Sequence, residues 1–273
     1  MQKSEGNPFI DKIKIPKTVY KFRDWTNPFH RRLLDGEIYL SSPLDFNDPF
    51  DCNIFVRYDM LQNNQGLQQE YFALVVERYR KHYTIEQKKD EVSRLIEEGR
   101  FNDPDWLKLQ AKKSRQQYGE DLGVFCLTLT KKNILLWSHY ASSHKGLCVG
   151  FNGEQLFFEC LQHGIKGKKV SYSKEYPDID PRTDLFKQSI LQTHIKSHLW
   201  VHEKEYRLSK LSASRKTFNV SKKCFKEITL GCEITKEHRQ EIIEFVKINI
   251  AGLPIYQAYT VQNKFKLSFE RIE

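Results

Sequence analysis

The sequence predicts an α+β fold with a mixed or antiparallel core sheet, flanking helices and an inserted helical layer. Segments in which apolar and polar residues alternate, as in half-buried strands, occur towards both ends of the 273-residue chain. Helical periodicity is concentrated between them, and the repeated strand-helix-strand rhythm of a parallel sheet is missing. We therefore expect a single domain over residues 1–273, with a helical insertion at residues 60–118.

The first predicted strand is KTVYKFRDW. Its alternation points Tyr20 and Phe22 to one face, and Lys21 and Arg23 to the other. Two basic side chains on one strand face suit an anionic ligand.

A short helix ending near Gly36 and a second strand ending at Pro43 follow. The next segment, LDFNDPFDCN, predicts a tight turn at Asn47, Asp48 and Pro49. The acids of NDPFD suit the positioning of hydroxyl groups or, as the weaker alternative, the binding of a metal ion.

Helical signals dominate the predicted insertion. Thr84 and Gln87 form a capping box, and Gly99 is a natural helix end. Asp103 followed by Pro104 predicts the start of a second helix. Nothing in this block indicates chemistry.

Strand character returns after Gly119. GVFCLTLT, LCVGF and KKVSYS are predicted strands, and NILLWSHYASSHKG includes a short helix. An amphipathic helix is predicted from Phe186 to Leu199. The chain then continues with a strand at EITLG, a helix capped by Thr235 and closed near Gly252, and a hairpin from Ile255 to Phe269.

Composition and charge bound the class of protein. No apolar run reaches the ~20 residues needed to cross a bilayer, and the first residues lack a signal-peptide core, so we expect a cytoplasmic protein that does not enter a membrane. The six cysteines have no zinc-type spacing, which indicates reduced, mostly buried thiols and no metal site.

The net charge of +9 makes a phosphate-bearing partner plausible. Residues 209–226 hold six basic residues and no acid, and KGKK at 166–169 is a second basic cluster. Both segments are candidates for nucleic-acid binding, and an ordinary solvated surface is the alternative.

The segment WVHEKEYRL carries the strongest chemical signal. Strict alternation would put Glu203, Glu205 and Arg207 on one strand face, with the carboxylates roughly 6 to 7 Å apart. In a dry site, like charges this close favour one protonated and one ionised carboxyl group. An exposed strand with a weak salt bridge is the alternative.

The segment WSHYASSHKGLCVGF places Trp137, His139, Tyr140 and His144 in a mostly apolar context. Polar rings in such a context need hydrogen-bond partners. For His139 alone, a hydrogen-bonded core histidine is the simpler interpretation.

Five segments occur here in the order seen in the bacterial family catalogued as domain of unknown function 2971: YKFR, YLSSPLDFNDPFD, ILLWSHYASSHKGLCVGF, HLWVHEKEYRL and FKEITLGCEI. The resemblance runs from Tyr20 to about Ile234. Family membership implies no particular reaction.

A looser resemblance concerns the reaction. Mono-ADP-ribosyltransferases of the Arg-Ser-Glu class carry an Arg on the first strand, a Ser-rich strand and a late E-x-E pair. This chain is similar at Arg23, at Ser41 with Ser42, and at Glu203 with Glu205. It departs from the class because the aromatic-Ser-Thr-Ser motif is absent and a proline interrupts the second strand.

The resemblance implies roles for these residues. Glu205 would stabilise the oxocarbenium-like transition state, Glu203 would help to activate the acceptor, and Arg23 with Lys21 would hold the pyrophosphate of NAD. Tyr140 would lie against the nicotinamide ring. The complete candidate set is Glu205, Glu203, Tyr140 and His139 for catalysis, and Tyr20, Lys21, Arg23, Ser41, Ser42, Asn47, Asp48 and Trp137 for NAD binding.

The expected function is that of an ADP-ribosyltransferase-like enzyme that uses NAD to modify a nucleic acid or protein, as a toxin or phage-defence effector with a restraining partner protein. One alternative is a metal-dependent nuclease in which Asp48, Asp51 and Glu205 bind Mg²⁺ and His139 moves protons. The other is a non-enzymatic module that binds nucleic acid or a nucleotide.

Overall fold

The computed structural model describes residues 15–273, which divide into two compact units. Of these residues, the first unit holds 15–41, Gly123–Val170 and Leu199–Glu273, and the second holds Ser42–Leu122 and Ser171–His198. The single domain and the insertion at 60–118 remain predictions from the sequence.

The elements follow one another irregularly along the chain. The α-helices are α1 (Pro28–Arg31), α2 (Gln65–Tyr79), α3 (Ile85–Glu97), α4 (Pro104–Asp121), α5 (Ile134–Tyr140), α6 (Gly153–Gln162), α7 (Leu185–His194) and α8 (Lys236–Asn249). The strands are β1 (Thr18–Arg23), β2 (Glu37–Leu40), β3 (Gly123–Thr128), β4 (Leu147–Asn152), β5 (Lys166–Lys169), β6 (Ser171–Ser173), β7 (Ile195–Ser197), β8 (Glu205–Lys210), β9 (Lys216–Asn219), β10 (Phe225–Leu230), β11 (Ile255–Thr260) and β12 (Leu267–Arg271).

The first unit is built on an eight-stranded sheet with the order β12-β11-β10-β4-β1-β3-β8-β5. β10 and β11 are parallel, and the other neighbouring strands are antiparallel. A separate antiparallel pair joins β2 to β9. The predicted α+β class with a mixed, mostly antiparallel sheet is confirmed.

Two hydrophobic clusters use alternate residues of β1. Val19 lies in the larger cluster, to which α6 and α8 contribute Leu156 and Ile242. Phe22 lies in a smaller cluster with Trp137 of α5 and Leu267 of β12. The alternation predicted for β1 therefore reflects apolar packing on both sides of the strand.

The second unit contains α2, α3 and α4 around a cluster that includes Phe72 and Phe101. The predicted capping box is present, because the Thr84 and Gln87 side chains each accept from the other's backbone N–H. Asp103 caps α4, as its sequence position predicted.

Two predicted elements were wrong in extent. KKVSYS is not one strand, because β5 pairs with β8 whereas β6 pairs with β7. The helix predicted to Leu199 ends at His194, because residues 195–197 instead pair with β6. Leu199 itself is exposed.

All six cysteines lie within residues 15–273 as free thiols, and four of them are buried, as predicted. Within the same residues, no helix has both the length and the apolar surface required to cross a bilayer.

Candidate functional site

The eight-stranded sheet opens between β1 and β3. The two strands pair where Tyr20 faces Thr128, and no further register pair joins them among the described residues. Further along, the edge of β3 is taken by Ser41, whose N–H and C=O bond to Val124, each at 2.9 Å. The strands therefore separate, and a gap interrupts the sheet at its centre.

Basic side chains of β1 line this gap. Lys21 Nζ donates to the carbonyl oxygen of Cys126 at 2.7 Å. It lies 5.0 Å from the centre of the Phe125 ring, and the Arg23 guanidinium carbon lies 5.8 Å from the same ring. We call Lys21, Arg23 and the nearby His30 the cation group.

The members of the cation group perturb one another. Burial, with a smaller contribution from Arg23, lowers the pKa of Lys21 to about 7. Burial also lowers the pKa of Arg23 to about 10. The pKa of His30 is lowered by burial and then by the charges of Arg23 and Lys21.

Two nitrogens of the cation group have no partner. Arg23 Nε and His30 Nδ1 are buried, and residues 15–273 offer neither of them a hydrogen bond. Buried polar nitrogens without partners are costly, and a ligand that supplies the missing hydrogen bonds would remove this cost. His30 was not predicted, since nothing in its sequence context distinguishes it from any histidine in a short helix.

Glu203 and Glu205 do not share a strand. Glu203 ends a 3₁₀ helix, His198–Glu203, and Lys204 has a left-handed φ of 45°. β8 begins only at Glu205. The alternation predicted across both glutamates is therefore wrong.

Glu203 is buried beside Tyr140. The Tyr140 hydroxyl donates to Glu203 Oε1 at 2.8 Å, and Thr128 Oγ1 donates to the Glu203 carbonyl oxygen at 2.6 Å. These contacts fix both the side chain and the backbone of Glu203. The sequence patterns indicate both Tyr140 and Glu203 as candidate site residues, but they do not predict the hydrogen bond between them.

Glu205 is held by Arg207 in a buried ion pair. Its two carboxylate oxygens accept from Nε and Nη2 of Arg207 at 2.7 and 2.9 Å. The two residues are only 4% and 0% exposed. The alternative of an exposed strand with a weak salt bridge is therefore wrong.

The gap brings the two sets of charges within electrostatic reach. Cross-strand register puts Tyr20, Thr128 and Glu205 on one face of the sheet, so Lys21 and Arg23 project from the other. The charges of Glu205 and Glu203 nevertheless both act to raise the pKa of Lys21. Within the cation group, Lys21 is the residue whose pKa the two glutamates raise.

Three other predicted site residues, Tyr20, Trp137 and His139, also lie in the first unit. Burial is the main cause that raises the pKa of Tyr20, to about 12. Trp137 is fully buried, and its Nε1 donates to the Lys131 carbonyl oxygen at 2.7 Å. His139 is exposed and meets the edge of Tyr140, so its interpretation as a core histidine is wrong.

Ser42, Asn47 and Asp48 lie in the second unit. Ser42 is buried and its hydroxyl donates to the Gly119 carbonyl oxygen at 2.6 Å. Asn47 is exposed, and Asp48 Oδ1 accepts from the Phe50 N–H at 2.9 Å, a local bond that fits the tight turn predicted here.

The other acid of this turn, Asp51, forms a buried ion pair with Lys196 at 3.1 Å. Across residues 15–273, no cluster of three or more His, Cys, Asp or Glu side chains is arranged to hold a metal ion.

Several lysines of the 209–226 segment are bound within the first unit. Lys210, Lys216 and Lys222 donate to backbone carbonyl oxygens, and Lys226 donates to the Thr18 hydroxyl. The 166–169 segment is the edge strand β5. Nucleic-acid binding by either segment remains a prediction.

The fold and the site together define an α+β protein in which the half-buried Lys21 and Arg23 line a gap in the sheet and Glu203 and Glu205 are buried. Residues 136–208 match the family described as Protein of unknown function (DUF2971). The resemblance to this family is thereby shown over the stretch that carries Tyr140 and both glutamates. No curated protein and no solved structure matches the chain.

Proposed function

We propose that this protein is an ADP-ribosyltransferase-like enzyme that binds NAD at the gap between β1 and β3 and modifies a macromolecular acceptor. The observation that carries the proposal is the cation group, in which the buried Arg23 Nε and His30 Nδ1 lack hydrogen-bond partners.

The cation group suits a pyrophosphate. With a phosphate bound, Lys21 and Arg23 would supply two positive charges, and no acid among residues 15–273 forms an ion pair with either. A phosphate oxygen would give Arg23 Nε its missing acceptor. The favourable interaction would offset the desolvation that lowers both pKa values.

Glu203 is the better candidate for the reacting carboxylate. Both oxygens of Glu205 are held by Arg207, whereas Glu203 Oε1 accepts from a tyrosine hydroxyl. We therefore exchange the roles implied by the resemblance. In the proposal, Glu203 stabilises positive charge at the ribose carbon, and Glu205 with Arg207 fixes the start of β8.

The reaction balances without a further reactant. The bond from the ribose carbon to nicotinamide breaks, and its electron pair goes to the ring nitrogen. The acceptor's nucleophilic atom then bonds to the ribose carbon and loses its proton to a carboxylate or to water. Tyr140 keeps the Glu203 carboxylate oriented during this step.

The test is transfer of label from NAD to macromolecules of a cell lysate by the purified 273-residue chain. We expect the label to appear with wild-type protein, to be lost with Glu203→Gln, and to be reduced with Arg23→Gln at NAD concentrations below KM. Glu270→Gln, which changes an exposed glutamate on β12, is the matched control and should retain transfer.

Absence of label transfer by folded wild-type protein, with protein and nucleic acid acceptors both present, would overturn the proposal. Chelator-sensitive nicking of RNA or plasmid under the same conditions would instead favour the nuclease.

A further inference from the structure

An aromatic side chain projects from the tip of the hairpin formed by β11 and β12. Phe265 is 100% exposed, which is unusual for a large apolar ring and leaves it available to a partner. Residues 261–266, which we call the hairpin tip, are VQNKFK.

The hairpin tip is ordered by its own hydrogen bonds. The Val261 N–H donates to the Lys266 carbonyl oxygen at 3.0 Å, and the Lys264 N–H donates to the Val261 carbonyl oxygen at 3.1 Å. The Lys266 N–H donates to the Lys264 carbonyl oxygen at 2.8 Å, which closes a three-residue turn centred on Phe265. This turn directs the Phe265 ring outwards.

The base of the hairpin is anchored in the first unit. Leu267 is buried with Phe22 and Trp137. Lys131 lies over the rings of Tyr256 and Phe269, at 4.3 and 5.0 Å from their centres. The tip is therefore a projection from a packed support, and no rearrangement is needed to present Phe265.

The charge around Phe265 is positive. Lys264 and Lys266 flank it, both are exposed, and neither forms an ion pair within residues 15–273. No acid occurs from Thr260 to Ser268. The tip thus combines an open ring face with two uncompensated cations.

A second ring lies on the same hairpin. Tyr259 is 42% exposed and faces Ser268 across the strands. Aromatic rings near lysines are the features with which proteins bind single-stranded nucleic acid, because bases stack on the rings and lysines contact the phosphates.

We propose that the hairpin tip is a docking surface for single-stranded nucleic acid, with Phe265 as a stacking platform and Lys264 and Lys266 as phosphate contacts. An anionic membrane is the less fitting partner, because the tip offers one apolar ring among polar Gln262 and Asn263. The inference concerns binding and does not require NAD turnover.

The test is fluorescence anisotropy of the full chain with labelled single strands of about 15 nucleotides, oligo(dT) and oligo(U) in separate arms. Loss of one stacked base predicts about five- to hundredfold weaker binding for Phe265→Ala. Phe265→Trp should bind as wild type. Phe158→Ala, which removes another exposed ring from α6, is the matched control and should not change binding.

The salt dependence of the affinity tests the phosphate contacts proposed for the two lysines. Lys264→Gln with Lys266→Gln should reduce the slope of log affinity against log salt by about 0.7 for each phosphate that a lysine no longer neutralises. Binding of only oligo(dT) or only oligo(U) would show whether the surface binds DNA or RNA, and it would support the proposal.

Three results would overturn the proposal. They are no binding of either strand by the wild-type chain, equal binding by wild type and Phe265→Ala, or Phe265-dependent binding only to vesicles containing phosphatidylserine. Since Phe265 is fully exposed, the variants should fold, and unchanged thermal unfolding confirms this.

Discussion

Arg207 holds both carboxylate oxygens of Glu205, two residues before it on β8, in an ion pair from which solvent is almost excluded. A carboxylate bound in this way is fixed in position and is a poor partner for a developing cation. The ion pair therefore supports the proposed assignment of Glu203, and not Glu205, as the reacting carboxylate, and it predicts that Arg207 stabilises the fold.

Replacing Arg207 should destabilise the fold strongly. Arg207→Met leaves Glu205 buried without its guanidinium, and breaking a buried pair in this way costs about 3–5 kcal/mol. Urea denaturation of wild type and variant measures the difference. Lys247→Ala, which breaks the exposed pair between Lys247 and Glu273, is the control and should cost about 1 kcal/mol or less. Equal losses for the two variants would contradict the assignment.

Lys21 should make stability depend on pH. Its pKa of about 7 in the folded protein lies below its ordinary value of 10.5. Between these two pH values the unfolded chain binds more protons than the folded chain. The free energy of unfolding therefore rises with pH because of this residue. Below pH 7 the lysine is charged in both the folded and the unfolded state, so the cost of burying its charge fully lowers the free energy of unfolding.

The comparison that isolates this effect is wild type against Lys21→Met. We expect the free energy of unfolding of wild type, relative to the variant, to increase from about pH 7 to pH 9.5. Lys132→Met, at an exposed position next to α5, should give no such trend. A flat difference between wild type and Lys21→Met across this range would show that Lys21 is not desolvated.

Sequence patterns predicted the elements well where each strand face meets an apolar cluster. β1 shows this, because Val19 and Phe22 pack on opposite sides and fix the directions of Lys21 and Arg23. The same reasoning failed at Glu203. Lys204 adopts a left-handed φ that only a glycine or asparagine would have suggested beforehand.

The gap in the sheet was beyond the reach of sequence patterns. It exists because β3 pairs with Ser41 at one end and with Tyr20 at the other, and these contacts join segments about a hundred residues apart. The sequence does not reveal which strand pairs with which edge, so it predicted Lys21 and Arg23 of the cation group but neither His30 nor the gap that these residues line.

Gly231 should tolerate no side chain. A Cβ atom there would lie 1.9 Å from the His144 carbonyl oxygen, and the Gly231 N–H bonds to Gly146 at 2.9 Å. Gly231→Ala must therefore displace backbone, and we expect a loss of about 1–3 kcal/mol or more in urea denaturation.

The matched control is Gly66→Ala in α2, where the nearest atom lies 3.6 Å from the added Cβ. Because alanine is favoured over glycine within a helix, this variant should be neutral or slightly more stable. If Gly231→Ala were equally stable, the close approach of residues 231 and 144 would not exist in solution.

The variant Tyr140→Phe should show whether Tyr140 orients the Glu203 carboxylate or binds NAD. The substitution removes the 2.8 Å hydrogen bond to the Glu203 carboxylate, and bonds to charged groups contribute about 1.5–3 kcal/mol. If Tyr140 orients Glu203 in the proposed transfer, kcat should fall about ten- to hundredfold while KM for NAD changes little.

Arg23→Gln should mainly raise KM, because its proposed contact is with the phosphates in the ground state. Tyr39→Phe on β2, whose ring packs on Phe29, is the control and should leave both constants unchanged. A rise in KM for Tyr140→Phe with constant kcat would place this hydroxyl in ligand binding and remove the positioning role.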